Sequence, residues 1–167
     1  FSGTVNPNWP AWDCCGGSTP ALVEDADAGS VMEFVVGATA TVNGFISREG
    51  NVVETGGEAS PFDASPIIET GTVSFDLNIV TAPNDATAAW IVKVESNNGA
   101  TAAEVLLTDN AAGIVPVAGE WQSYSFTLQA LADAGLDVSA IDVVMIFPAW
   151  GAGEGAVYRV NNLEISA

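Results

Sequence analysis

The clearest strand pattern in this 167-residue chain is Thr72-Val73-Ser74-Phe75-Asp76-Leu77-Asn78-Ile79. Its apolar side chains fall on every second residue, from Val73 to Ile79. Successive side chains of a β-strand point to opposite faces. The alternation therefore predicts a strand with one face in a core and the other face toward solvent.

Similar short runs, separated by turn signals such as Ala82-Pro83-Asn84-Asp85, occupy most of the remaining chain. Residues 141–147 are apolar on both faces, which predicts a central strand, and residues 128–134 predict a single helical turn. About eight short strands with little helix predict an all-β sandwich of two antiparallel sheets, in one domain spanning 1–167. The other predicted strands are 31–36, 40–46, 90–95, 103–107, 123–128 and 156–165, and residues 49–65 are predicted to form a long polar loop.

The charge of the chain is strongly one-sided. It has 21 acidic residues against three basic ones, Arg48, Lys93 and Arg159, and a net charge of −18. No basic surface is available to neutralise phosphates, which argues against nucleic acid and anionic membranes as partners. Such acidity favours a secreted protein from a saline habitat, where charge maintains solubility. Because the chain begins at Phe1, we expect a module excised from a larger secreted enzyme.

The absence of histidine from the sequence limits the available chemistry. It excludes a Ser-His-Asp triad, a Cys-His dyad and a histidine-ligated zinc site. A glycosidase that uses two carboxylates stays open, but with 21 carboxylates two are expected to be close by chance. We therefore predict a binding module and not an enzyme.

Cys14 and Cys15 are adjacent, and they are the only cysteines in the sequence. Within the chain they can bond only each other. A disulfide prefers Cα atoms roughly 4.4–6.8 Å apart, whereas neighbours across a trans peptide are held at about 3.8 Å. Closure would force a tight turn, which Gly16-Gly17 can accommodate. The resulting ring would be flat and apolar, so that a sugar face could rest on it; the alternative is two free thiols in a loop.

A site for a neutral glycan needs exposed aromatic rings with a few polar groups converging on them. Trp9 and Trp12 lie in a Pro- and Gly-rich segment without strand alternation, which favours a partly exposed loop. The alternative is that they cover the end of the core. Trp150 follows the predicted central strand and is expected to be exposed, whereas Trp90 and Trp121 head strands and are predicted to lie in the core.

The few cations are the candidate polar partners. Arg48 ends a predicted strand, and its planar fork can bond two adjacent hydroxyls. Lys93 and Glu95 share one strand face, and Arg159 and Asn161 share another. On a concave sheet these groups would line a groove. The alternatives are a salt bridge for Arg48 and a solvated outer face for the rest.

Acidic clusters also suggest calcium, which prefers oxygen ligands. The best places are Glu24-Asp25-Ala26-Asp27 and Asn161-Asn162. We expect a structural calcium with Asp25, Asp27 and Asn161 among its ligands.

Several stretches resemble galactose-binding-like jelly-roll carbohydrate-binding modules. Gly119-Glu120-Trp121-Gln122-Ser123-Tyr124-Ser125-Phe126-Thr127-Leu128 resembles one strand of these modules, and Val157-Tyr158-Arg159-Val160-Asn161-Asn162-Leu163-Glu164-Ile165 resembles their last strand. More narrowly, Asn8-Trp9-Pro10-Ala11-Trp12-Asp13-Cys14-Cys15-Gly16-Gly17 and Phe147-Pro148-Ala149-Trp150-Gly151 look like modules of marine bacterial polysaccharide hydrolases, of the laminarinase and exo-β-glucanase type.

The resemblance implies a non-catalytic sandwich that tethers a glycoside hydrolase to a polysaccharide, here a β-1,3-glucan such as laminarin. Family members often carry calcium between the first and last strands, although Asn161 stands where many have aspartate. The alternatives are another marine glycan, agar or alginate, or a spacer without a ligand. The expected ligand-binding residues are Trp9, Trp12, Cys14, Cys15, Arg48, Lys93, Glu95 and Trp150.

Overall fold

This computed structural model describes residues 9–48 and 58–167. These residues contain ten strands and one short helix. Single 3₁₀ turns lie at Ser65–Ile67, Asn97–Gly99, Leu107–Asp109 and Val138–Ala140. The strands are β1 (Ala11–Asp13), β2 (Ser18–Asp25), β3 (Gly29–Val36), β4 (Asn43–Ile46), β5 (Thr72–Thr81), β6 (Trp90–Ser96), β7 (Thr101–Leu106), β8 (Trp121–Thr127), β9 (Ile141–Pro148) and β10 (Val157–Ser166), and the helix is α1 (Leu128–Asp133).

The strands form two five-stranded antiparallel sheets. Sheet A has the order β1-β4-β9-β6-β7, and sheet B has the order β2-β3-β10-β5-β8. β5 buries Val73, Phe75, Leu77 and Ile79 on its inner face, as the alternation predicts. β9 is buried along its whole length at the centre of sheet A. The predicted all-β sandwich, the central strand and the helical turn are therefore confirmed.

The sequence patterns missed β1 and β2, which are the edge strands of their sheets. β2 contains Pro20, which lacks an amide hydrogen and is tolerated at a sheet edge. The strand predicted over 40–46 begins only at Asn43. Residues 49–57 of the predicted long loop lie outside the described residues, and Phe62 beyond them forms a bridge to Ile141.

Aromatic rings fill the middle of the core. Tyr158 of β10 stacks on Phe34 at 5.1 Å between ring centroids and meets Trp90 edge-on, also at 5.1 Å. Trp90 is only 9% exposed, which confirms the prediction that it lies in the core. Tyr158 thus packs against residues from both sheets.

The hydroxyl of Tyr158 makes the buried polar contact that joins the sheets. Its single hydrogen is shared between two acceptors, the Ile146 carbonyl oxygen at 2.7 Å and Asn43 Oδ1 at 3.1 Å. The Asn43 amide in turn donates to Asp13 Oδ1 at 3.1 Å and to the Ser18 hydroxyl. Burial, with a contribution from Asp13, raises the pKa of Tyr158 well above its ordinary value. The network therefore runs from sheet B through β4 to β1.

Tyr158→Phe should lower the free energy of unfolding by about 1–3 kcal/mol, because two buried acceptors lose their donor. Urea denaturation followed by circular dichroism measures this. Tyr124→Phe is the matched control: its hydroxyl donates to Gln122 Oε1, which keeps a second donor in the amide of Val117. An equal loss in the two variants would contradict the role assigned to Tyr158.

Candidate functional site

One row of cross-strand neighbours crosses all five strands on the outer face of sheet A, with Gly44 and Met145 buried in its middle. Successive cross-strand neighbours in this row are Trp12, Gly44, Met145, Lys93 and Glu104. Trp12 faces outward because its neighbour Asp13 points inward to Asn43. An indole at one edge of the sheet thus shares a surface with charged groups on the other strands.

An apolar cluster supports Trp12 on this face. Ile46 of β4 and the alternating residues Val143, Met145 and Phe147 of β9 are all nearly completely buried, and Trp12 packs against them while staying partly exposed. Gly44, the cross-strand neighbour of Trp12, allows β9 to approach closely, because a Cβ there would lie 2.1 Å from the Val144 carbonyl oxygen. The ring is therefore held on the sheet.

Charged groups form a chain at the same face. Arg48 Nη2 lies 2.9 Å from Glu95 Oε2 and 2.9 Å from Asp142 Oδ1, and Lys93 Nζ lies 3.2 Å from Glu95 Oε1. Burial lowers the pKa of Arg48, but its hydrogen bonds to Asp142 and Glu95 outweigh this effect, and the net shift is upward. Each oxygen of Glu95 therefore faces one cation, which fixes its carboxylate.

Cys14 and Cys15 form the predicted vicinal disulfide. The ring follows β1 directly, in the segment that carries the chain from sheet A to sheet B, and the amide of Cys14 donates to the Val42 carbonyl oxygen at 3.2 Å. Gly16 has a φ of +73°, and a Cβ at Gly17 would lie 2.3 Å from the Thr39 carbonyl oxygen. The two glycines therefore permit the turn, as predicted, and Cys15 is exposed.

Trp150 lies at the end of the sandwich that also carries the disulfide. Its side chain is 60% exposed, as predicted. Residues 37–41 line a small groove together with Ala149, Gly151 and Gly153 of the Trp150 loop. The same segment meets the disulfide turn, because Gly37 donates to the Gly17 carbonyl oxygen at 2.8 Å. The Trp150 loop and the disulfide turn therefore both adjoin residues 37–41.

Trp9 takes the alternative position, in the core, and Trp121 lies outside the core, where it was not predicted. Trp9 was expected to contact ligand, but it is only 4% exposed, and its Nε1 donates to the Ser60 carbonyl oxygen at 3.2 Å. The structure places it in the core. Trp121 was expected in the core, but it lies on the outer face of sheet B, where its Nε1 donates to Asp25 Oδ1 at 3.2 Å. Alternation in β8 could have shown this, because Tyr124 and Phe126 take the inner face.

The carboxylate of Asp25 is surrounded by hydrogen-bond donors. Oδ2 accepts from Arg159 Nη1 at 2.8 Å, and Oδ1 accepts from the amides of Asp27 and Ala28 as well as from Trp121. The hydrogen bond from Arg159 is the main cause that lowers the pKa of Asp25 to about 2; desolvation opposes it. Arg159 also bonds Glu33 Oε2 at 2.8 Å. Four donors already bind the Asp25 carboxylate, so Asp25 does not fit as a calcium ligand in this arrangement, while the calcium itself stays a prediction.

Asp27 and Asn161, the other predicted calcium ligands, line a depression on sheet B together with Asp76. Within residues 9–48 and 58–167, no group of three or more Asp, Glu, Cys or His residues is placed to hold a metal ion. Sheet B also carries Arg159, so Arg159 lies on the opposite side of the sandwich from Lys93 and Glu95.

No protein-family model matches this sequence, and no curated protein is significantly similar to it. Solved structures are similar. The family 30 carbohydrate-binding module of the cellulosomal cellulase Cel9D-Cel44B of Clostridium thermocellum has a TM-score of 0.67 at 13% identity, over 98% of this chain and 95% of that one. This chain has the β-sandwich fold of carbohydrate-binding modules.

Two agarases contain the same module fold. An exo-β-agarase matches 99% of this chain with a TM-score of 0.62 and 14% identity, and another agarase matches 93% with a TM-score of 0.58 and 11% identity. The chain spans only 24% and 22% of their lengths. The predicted fold is thus confirmed, while the laminarinase type and a marine origin stay predictions. In the described part of the chain, no helix is long and apolar enough to cross a membrane.

The pKa of Asp25 gives a test of the Arg159 contact. Since this pKa is lowered from 3.8 to about 2, the contact adds stability above pH ~4, and that stability is lost as the pH falls through about 2. In Arg159→Met the pKa of Asp25 should rise above about 2, and acid should destabilise the variant less between pH 4 and 2. Carboxyl carbon NMR measures the titration. Arg48→Met, on the other sheet, should leave Asp25 unchanged; an unshifted Asp25 in Arg159→Met would refute the assignment.

Proposed function

We propose that this chain is a non-catalytic carbohydrate-binding module that binds a neutral polysaccharide along the outer face of sheet A. The observation that carries the proposal is that Trp12, Lys93 and Glu104 lie on the same face of sheet A and are each at least partly exposed. The fold shared with carbohydrate-binding modules supports it independently.

Trp12 provides the apolar contact in this proposal. A pyranose ring presents C–H groups on one face, and these stack on an indole. The apolar cluster beneath Trp12 limits its movement, so little conformational entropy is lost on binding. The Cys14–Cys15 ring follows on the same edge of the sheet and extends the apolar surface, with Trp150 at its end.

Lys93, Glu95 and Arg48 provide the polar contacts. Their ion pairs hold the charged groups in place while Lys93 remains 32% exposed and Glu95 16% exposed. Ammonium and guanidinium groups donate to sugar hydroxyls, and the carboxylate accepts from them. The site is shallow and has few groups, so we expect dissociation constants between micromolar and millimolar.

The glycan we propose first is a β-1,3-glucan such as laminarin, on the sequence resemblance described above. Agar is the second candidate, because two structures with this fold belong to agarases. In either case the module would tether a linked, secreted glycoside hydrolase to its polysaccharide. The appearance of new reducing ends when the isolated chain is incubated with polysaccharide would contradict a purely binding role.

Trp12→Ala and Trp150→Ala should each weaken binding by about tenfold, equivalent to ~1.4 kcal/mol, because each removes a stacking surface. Isothermal titration calorimetry with laminarin, agar oligosaccharides and alginate measures this, with circular dichroism as the check on folding.

Val115→Ala is the matched control, since Val115 is 67% exposed and lies outside this surface. Unchanged affinity in both tryptophan variants would contradict the proposed glycan site on sheet A. If none of the glycans gives a heat of binding, the alternative of a spacer domain without a ligand is favoured.

Reduction of the disulfide should weaken glycan binding while the sandwich stays folded. The ring lies outside the strands, and the large apolar core between the sheets contains neither cysteine. Calorimetry with and without a thiol reductant measures the effect. In the variant Cys14→Ala/Cys15→Ala the reductant should have no effect; full affinity in that variant would show that the ring takes no part in binding.

A further inference from the structure

The depression on sheet B lies on the opposite side of the sandwich from the site proposed above. Its volume is about 520 Å³, and its lining includes Trp121, Ser123, Asp76, Asp27 and Asn162. An indole, a hydroxyl, an amide and two carboxylates therefore meet at one surface.

The indole of Trp121 lies across sheet B. Trp121 belongs to β8, yet its Nε1 reaches Asp25 Oδ1, and the other oxygen of that carboxylate holds Arg159 of β10. β5 lies between these two strands. Asn78 of β5 is the direct cross-strand neighbour of Trp121, and its Oδ1 is buried without a hydrogen bond among the described residues. These contacts indicate that one face of the indole covers β5.

The opposite face of the indole is then directed to solvent, which agrees with the partial exposure of Trp121. The hydrogen bond of Nε1 to Asp25 fixes the ring orientation before any ligand arrives. Because the ring is already fixed, little conformational entropy is lost when a sugar stacks on it.

Asp76 is the polar centre of the depression. Its Oδ1 accepts from the Ser123 hydroxyl at 2.5 Å, and its Oδ2 accepts from Asn162 Nδ2 at 2.6 Å. Each carboxylate oxygen has two lone pairs, so each can accept one further hydrogen bond. Asn162 has a φ of +51° at the place where β10 shifts register against β5, and this bulge brings its amide to Asp76.

The charges of the depression select against anions. Asp27 and Asp76 both face it, while the neighbouring cation, Arg159, is already bound to Asp25 and Glu33. A carboxylate accepts hydrogen bonds from neutral hydroxyls and repels sulfate, carboxylate or phosphate groups.

We propose that this depression is a second saccharide site, which binds one residue of a neutral glycan. The apolar face of the sugar ring stacks on Trp121, and its hydroxyls donate to Asp76 and Asp27. The site goes beyond the function proposed above, since it shares no residue with the row on sheet A. Sites on opposite faces would let one module contact two glycan chains at once.

Indole N–H signals in proton–nitrogen NMR test the proposal, because the five tryptophans report separately and Trp121→Phe identifies the relevant signal. The probes are laminarihexaose, cellohexaose and neoagarohexaose at millimolar concentration. At least one of them should shift the Trp121 signal in a saturable way. Signals of Trp12 and Trp150 report on sheet A independently.

Asp76→Ala should weaken the response at Trp121 by roughly tenfold or more, since the hydroxyl acceptor is lost. Glu164→Ala is the matched control, because Glu164 is exposed on β10 outside the depression. A Trp121 signal that stays fixed with all three sugars would overturn the proposal, and so would an equal response in Asp76→Ala. A shift with calcium chloride alone, and with none of the sugars, would assign the depression to a cation instead.

Discussion

One buried hydroxyl, on Tyr158, joins the two sheets of this sandwich through hydrogen bonds. It belongs to β10 of sheet B, and both of its acceptors belong to sheet A: the Ile146 carbonyl oxygen and Asn43 Oδ1. A buried polar group without a partner costs about 1–3 kcal/mol, so the packing must keep all of these groups paired. Asn43 extends the contact to Asp13, the residue before the disulfide. The core therefore also sets the position of the turn next to Trp12.

The strands that the sequence predicted best are those with one face in the core. β5, β6 and β8 alternate because sheet packing buries every second residue. β9 lacks alternation for a physical reason: its second face, with Val143 and Phe147, carries the apolar cluster under Trp12. β1 and β2 were missed because β1 has only three residues and β2 contains Pro20; pairing with β4 and β3 supplies what local propensity does not.

The candidate site was predictable where a residue's role depends on its immediate neighbours in sequence. The disulfide, its two glycines and the exposed Trp150 are of this kind. Distant contacts decided the rest. Trp9 is held by Ser60, 51 residues away, and Arg48 reaches Asp142, 94 residues away. No local pattern distinguishes Trp9 from Trp12, or a paired Arg48 from a free one.

The vicinal disulfide also lies directly after the edge strand of sheet A, where that strand ends. Exposed edge strands carry unpaired amide and carbonyl groups that recruit strands from other molecules. β1 has only three residues. The disulfide ring follows it directly, and the two glycines after the ring lead the chain over to sheet B. The corresponding edge of sheet B, β2, is interrupted by Pro20. The net charge of −18 adds mutual repulsion between copies, which further disfavours association of the chains through their sheet edges.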